Sequence, residues 1–406
     1  MSELHALIAA AGVAVMALGF VSAFLKNESS VGEPALAIAF GLALGPAAAG
    51  LIDLSALGDP YAILRETARF TIGVSVMTAA LRVPTAWLRA NWRALALFLG
   101  VGMPAMWLAG GAVAAVAFGF ALWPALLLGA ICAPTDPVLA GSIVDGDIAK
   151  ARVPADPRHL LSAEAGANDG LGLPFVVLAL MMVQGQALWP EFAVDTLLRA
   201  VLGGVAFGLA IGLAAALIGR WANRWGLAEA TDEAPTTLAL ALIAVGGGHA
   251  LGLDGILSSF VAGLVFRALR STREDDEQLR YETSTKRLFE LPVFVLLGLA
   301  LPLEAWRGLG WPLLGFALAL FLLRRPPWIY ALGRMTRAAR RPAASAYLGW
   351  FGPIGIAALF YSLHVEDALG EGKWFEIVSF VIVLSALVHG FSAEPVARRF
   401  PRRDRG

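Results

Sequence analysis

Hydrophobic runs bounded by charges, prolines and glycines recur thirteen times along the chain, near residues 5–24, 34–53, 62–82, 94–116, 121–143, 159–184, 195–219, 235–252, 254–269, 288–302, 311–333, 343–363 and 374–393. A bilayer core takes about 20 apolar residues per helix. The pattern therefore predicts an all-α integral membrane protein with 13 transmembrane helices. The first run begins almost at the terminus, lacks a basic flank and runs into Lys26-Asn27-Glu28 without a small-residue cleavage pattern. It is predicted as a retained span rather than a signal peptide.

Composition supports lipid as the main solvent. Of 406 residues, 58% are hydrophobic and 15% charged, with a mean hydropathy of +0.71, whereas soluble domains are about half apolar and a quarter charged. The 31 basic and 31 acidic residues cancel, so no bulk charge points to nucleic acid as a partner. The single cysteine, Cys132, excludes an internal disulfide framework and is predicted as a small core residue.

Lysine and arginine concentrate in cytoplasmic loops of membrane proteins. With the N-terminus outside, thirteen spans put Lys26, Arg82, Arg89, Arg93, Lys150, Arg152, Arg158, Arg220, Arg224, the 267–287 cluster, Arg334 to Arg341 and the C-terminal tail on the cytoplasmic side. The intervening loops hold only Arg307 and Lys373. The long polar segment near 270–287, with its acidic run Glu274-Asp275-Asp276-Glu277, is predicted as a solvated loop.

Thirteen spans divide into six, one and six. In each six the fifth span is interrupted, by Ala133-Pro134-Thr135-Asp136-Pro137 and by Phe351-Gly352-Pro353-Ile354-Gly355. Corresponding broken helices in two halves are the mark of an inverted-repeat transporter with a midplane site. Two six-helix inverted repeats with two unwound crossing helices are therefore expected.

Ionisable residues deep in a span cost roughly 2.5–3.5 kcal/mol on insertion scales and are functional candidates by default. Asp136, Glu164, Asp169, Arg324 and Arg325 qualify, while Arg69, Arg199 and Asp254 are placed nearer interfaces. Glu164 and Asn168 are four apart and share a helix face, with Asp169 alongside. Asp136 suits the positive half-helix N-termini that unwinding exposes, and Arg324 or Arg325 suits the negative C-termini. Asp169 is the candidate transport carboxylate, because a buried carboxylate without a full charge partner can hold a proton near neutral pH. Sodium and proton then compete for a site of oxygens from Asp169, Thr135 and unwound carbonyls. His159, His249, His364 and His389 sit near predicted span ends and are read as packing or interfacial residues. No HExxH pair, GxSxG elbow or phosphate loop suggests an enzyme, and no cofactor is called for.

The segments 133–140, 152–175, Phe289-Glu290-Leu291-Pro292-Val293-Phe294, Arg324-Arg325-Pro326-Pro327, 349–355 and 385–390 together resemble the monovalent cation:proton antiporter-1 family. The likeness is to its fungal-type plasma-membrane sodium/proton branch and bacterial relatives. The resemblance implies exchange of sodium, lithium or potassium for protons, in the cell membrane, with a cytoplasmic C-terminus. It also implies a homodimer, with a dimer subdomain over about 1–93 and 195–302, a mobile core subdomain over about 94–184 and 311–393, and a basic tail over 394–406. Thr135-Asp136 matches the family's unwound pair, Asn168-Asp169 its cation and proton site, and Glu164 the glutamate that opens that motif. Three departures stand out: Ala165 replaces a frequent serine, Ile354 replaces an arginine of many prokaryotic members, and the third span lacks a buried acid, Glu66 lying nearer its outer end. The rival readings are an ion-coupled carrier of organic anions, which needs basic groups at both broken helices, and a membrane channel or enzyme.

Overall fold

A computed structural model describes residues 2–27, 32–140, 151–186, 189–226, 233–269 and 275–400. The loop bearing Lys150, the start of the acidic run at Glu274 and the end of the basic tail lie outside the described residues. No strand occurs among the described residues. Each apolar run carries helix over part or all of its described length, in chain order: α1 (Ser2–Asn27), α2 (Glu33–Leu44), α3 (Pro60–Arg82), α4 (Thr85–Phe118), α5 (Leu122–Ile131), α6 (Ala155–Val183), α7 (Trp189–Arg224), α8 (Glu233–Ala250), α9 (Gly255–Leu269), α10 (Asp275–Leu299), α11 (Leu303–Leu323), α12 (Pro326–Met335), α13 (Pro342–Trp350), α14 (Ile356–Leu369) and α15 (Lys373–Arg398). Six helical stretches among the described residues are long and apolar enough to cross a membrane: Glu3–Phe20, Thr85–Phe118, Ala155–Val183, Trp189–Arg224, Leu303–Met335 and Lys373–Arg398.

Local chemistry sets the boundaries. Asp59 caps α3 by accepting the Tyr61 amide at 2.9 Å, ahead of Pro60 in the first turn. The second apolar run is helical only to Leu44, because Gly45-Pro46 ends the helix and the chain turns. The polar segment before Leu288, expected as a loop, is helical from Asp275. The run at 311–333 lies in the single candidate span Leu303–Met335, interrupted at Arg324 and Arg325 between α11 and α12.

Small residues let the helices approach closely. Gly111 on α4 and Gly129 on α5 meet so that a side chain on Gly129 would strike the backbone of Trp107 and Gly111. One buried apolar cluster joins α2, α3, α5, α10, α11, α14 and α15. A second gathers α4, α12, α13 and the α6 N-terminus, with Phe98, Met106, Leu160, Ile329 and Tyr347. Helix α6 packs on α3 and α9. Its polar side chains Ser162, Glu164, Asn168 and Asp169 are all buried.

Candidate functional site: two helix breaks against a carboxylate helix

Both predicted interruptions are unwound. Residues 133–136 separate α5 from a helical turn that starts at Pro137, and residues 351–355 separate α13 from α14. The breaks touch, with the Asp136 amide donating to the Pro353 carbonyl at 2.9 Å. Unwinding leaves four half-helix ends here, two with bare N–H groups and two with bare carbonyls. Asp136 serves both N-termini. Its Oδ1 accepts from the amides of Val138 at 2.5 Å and Leu139 at 3.3 Å, and its Oδ2 accepts from Ile356. Gly355 is required beside it, since a Cβ there would overlap the Asp136 carboxylate.

Arg324 serves both C-termini. Its Nη1 donates to the carbonyls of Cys132 and Ala133 at 2.8 Å and Pro134 at 3.1 Å, and its Nη2 donates to Gly352. Cys132 is buried, as expected of a small core residue, and its carbonyl belongs to this clamp. Adjacent Arg325 turns the other way. It holds Glu164 in a two-pronged pair, Nη1 to Oε1 at 2.8 Å and Nη2 to Oε2 at 2.9 Å. It also donates to Thr135 Oγ1 at 2.8 Å and to the Leu348 carbonyl at 2.9 Å. Arg324 and Arg325 are 2% and 1% exposed. The sequence left open which arginine is buried; both are, in different tasks.

Asn168 ties α6 to the first break. Its Oδ1 accepts from the Thr135 amide at 3.0 Å, and its Nδ2 donates to Glu164 Oε1 at 2.8 Å. Asp169, one residue on, is equally buried, yet its Oδ1 has no hydrogen-bond partner. Its backbone carbonyl accepts from the Tyr361 hydroxyl at 2.5 Å. The structure thus brings Thr135, Glu164, Asn168, Asp169 and Arg325 into one patch, with Asp136 and Arg324 clamping the crossing beside it.

Sequence reasoning assigned no site role to three buried residues. Tyr361 sits in an apolar stretch that carried no signal. Glu290 lies in the Phe289–Phe294 motif and is buried, accepting from Ser75 Oγ at 2.7 Å. Asp254, placed nearer an interface by its sequence position, is 5% exposed within the protein. Glu66 behaves as expected, 44% exposed at its side chain and bridged to Arg65 and Arg69. Ile354 is fully buried, and its amide donates to Ser385 Oγ. His389 is buried within α15, bonded to Ser385 and packed by Phe321 and Trp350. That is a packing role. Among the described residues no group of three or more His, Cys, Asp or Glu could hold a metal ion.

A profile described as sodium/hydrogen exchanger, transmembrane, matches residues 10–399. The chain belongs to that family. As a sodium/hydrogen exchanger family member it is 27% identical to a Na(+)/H(+) antiporter of Saccharomyces cerevisiae, over 96% of this chain and 43% of that protein. A Na(+)/H(+) antiporter of Schizosaccharomyces pombe is 28% identical, over 96% of this chain and 89% of its own length. A K(+)/H(+) antiporter, NhaP2 of Shewanella oneidensis, is 27% identical over 93% of this chain and 65% of its length. The chain spans about half the length of two of these curated relatives, 43% of the Saccharomyces cerevisiae protein and 52% of a Na(+)/H(+) antiporter 2 of Zygosaccharomyces rouxii. The fold resembles that of the sodium proton antiporter MjNhaP1 from Methanocaldococcus jannaschii, with a TM-score of 0.73, 18% identity and coverage of 98% and 99% of the two chains. The family's description is that of a transmembrane exchanger, in keeping with the membrane transporter the sequence implied.

Proposed function

We propose that this chain exchanges a monovalent cation, sodium foremost, for protons by alternating access, with Asp169 as the shared site. The observation that carries this is the contrast on α6: Glu164 is locked to Arg325, while Asp169 is buried with an oxygen that nothing in the protein satisfies. A buried charge without a partner is costly. A proton relieves that cost, and so does a cation. The two cannot occupy the same lone pairs together, so binding one expels the other. Thr135 and Asn168 border the site, and a monovalent ion would take oxygens from Asp169, Thr135 and the unwound backbone. With Glu164 neutralised by Arg325, exchange is one for one and electroneutral. Sodium relatives and potassium relatives both appear among the matches, and the cation accepted here is sodium, with lithium and potassium as competitors.

The finer architecture belongs to the same proposal. Thirteen spans form two inverted six-helix repeats, with the N-terminus outside and the C-terminus in the cytoplasm of a cell-membrane homodimer. Residues near 1–93 and 195–302 form the fixed dimer part, and those near 94–184 and 311–393 form the moving core. Exposed leucines along α7, including Leu198, Leu202, Leu209 and Leu217, would face lipid. An organic-anion carrier would need a free cationic group at the crossing. Both arginines are engaged by carbonyls or by Glu164, and Ile354 adds no charge. The test is collapse of an imposed pH gradient in proteoliposomes by sodium, lithium or potassium. Saturable, cation-dependent collapse supports antiport, and gradients indifferent to every monovalent cation would remove it.

A further inference from the structure

Asp254 lies at the short connection between α8 and α9, on the side of the bundle opposite the arginine-rich loops in the topology proposed above. It is 5% exposed. Its Oδ1 accepts the Leu257 amide at 2.9 Å and so caps α9. Its own amide donates to the Ala200 carbonyl at 3.0 Å on α7, fixing the residue against a third helix. Oδ2 has no hydrogen-bond partner. A cap needs one oxygen, and a serine, threonine or asparagine would supply it without burying a charge. The second oxygen is therefore unexplained by helix capping.

Its placement relative to Asp169 supplies the explanation. Leu257, on the first turn of α9, lies against Gly170, where a Cβ would approach Leu257 to 2.8 Å. The Tyr361 hydroxyl donates to the Asp169 carbonyl, next to Gly170 on α6. Two buried carboxylates, each with an unpartnered oxygen, are thus linked by the close contact of Leu257, which Asp254 caps, with Gly170, which follows Asp169. Resting on the antiport reading, we propose that Asp254 is a second cation-binding carboxylate, which receives the monovalent ion on the α8–α9 side before it passes Tyr361 to Asp169. A fixed negative charge in a low-dielectric wall concentrates counter-ions locally by about tenfold or more. Its effect falls on capture of the ion rather than on the transport step.

Asp254→Asn is the informative variant, because the amide oxygen still caps α9 while the charge is gone. Purified protein in proteoliposomes is compared with wild type by gradient collapse over a range of sodium concentrations. The expected result is an apparent KM for sodium raised about tenfold or more, with the maximal rate within about twofold of wild type. Asp254→Ser, which caps through its hydroxyl, should behave the same way if the asparagine form folds poorly. Unchanged KM in either folded variant overturns the proposal and leaves Asp254 a helix cap. Wild-type protein that responds to no cation sinks the antiport reading itself, a result that these variants do not produce.

Discussion

Glu164 and Asp169 lie five residues apart on one helix, and both are about 1% exposed, yet the protein treats them in opposite ways. Glu164 receives both prongs of a guanidinium and an asparagine amide, whereas Asp169 Oδ1 receives nothing. Burial alone therefore does not mark a transport site. What marks it is burial without compensation, because only an uncompensated charge gains from binding an ion that comes and goes. The fully paired neighbour holds the site's shape: Arg325 connects α6, Thr135 of the first break and the Leu348 carbonyl of α13.

The largest expected effect comes from erasing the difference at Asp169. Asp169→Asn should abolish cation-driven gradient collapse while leaving the folded protein intact, since no hydrogen bond to that Oδ1 is lost. Removing the compensation at the other end should instead damage the fold. Arg325→Leu strands Glu164 as a buried charge, at about 3–5 kcal/mol, to be read as a marked fall in melting temperature. Gly355→Ala forces a methyl group against the Asp136 carboxylate and displaces the Ile356 amide, at about 1–3 kcal/mol for overpacking, again visible in thermal unfolding. Asn168→Ala takes away the bridge between the two carboxylate environments and leaves the Thr135 amide unsatisfied, at about 1–3 kcal/mol. The smallest effect should be that of Glu164→Gln with Arg325→Gln together. The pair leaves no stranded charge, so the double variant should lose less unfolding free energy than the sum of its singles, by about 0.5–3 kcal/mol, and should keep cation-dependent exchange.

Much of this site could be read from the chain. Pro134 and Pro137 around Thr135-Asp136 demanded unwound backbone, and the four-residue spacing of Glu164 and Asn168 put them on one face. The partners were not legible. Arg325 and Glu164 are 161 positions apart, and nothing local tells Arg324 from Arg325, because the chain kinks between α11 and α12 and sends neighbouring side chains in different directions. The short α2 was signalled by Gly45-Pro46, which apolar counting outweighed. Asp254 looked interfacial because it borders a turn. Only the packing of α7 and α9 around that turn buries it. Tyr361 had no mark at all, being one aromatic in a run of apolar residues.

Competition at one carboxylate is tested most directly by proton release when sodium is added to purified protein in weak buffer. Wild type and the Glu164→Gln, Arg325→Gln double variant should each release about one proton per protomer, and Asp169→Asn should release none. Release that persists in Asp169→Asn, or that disappears with the Glu164 and Arg325 pair, would contradict the account and move the shared site away from Asp169.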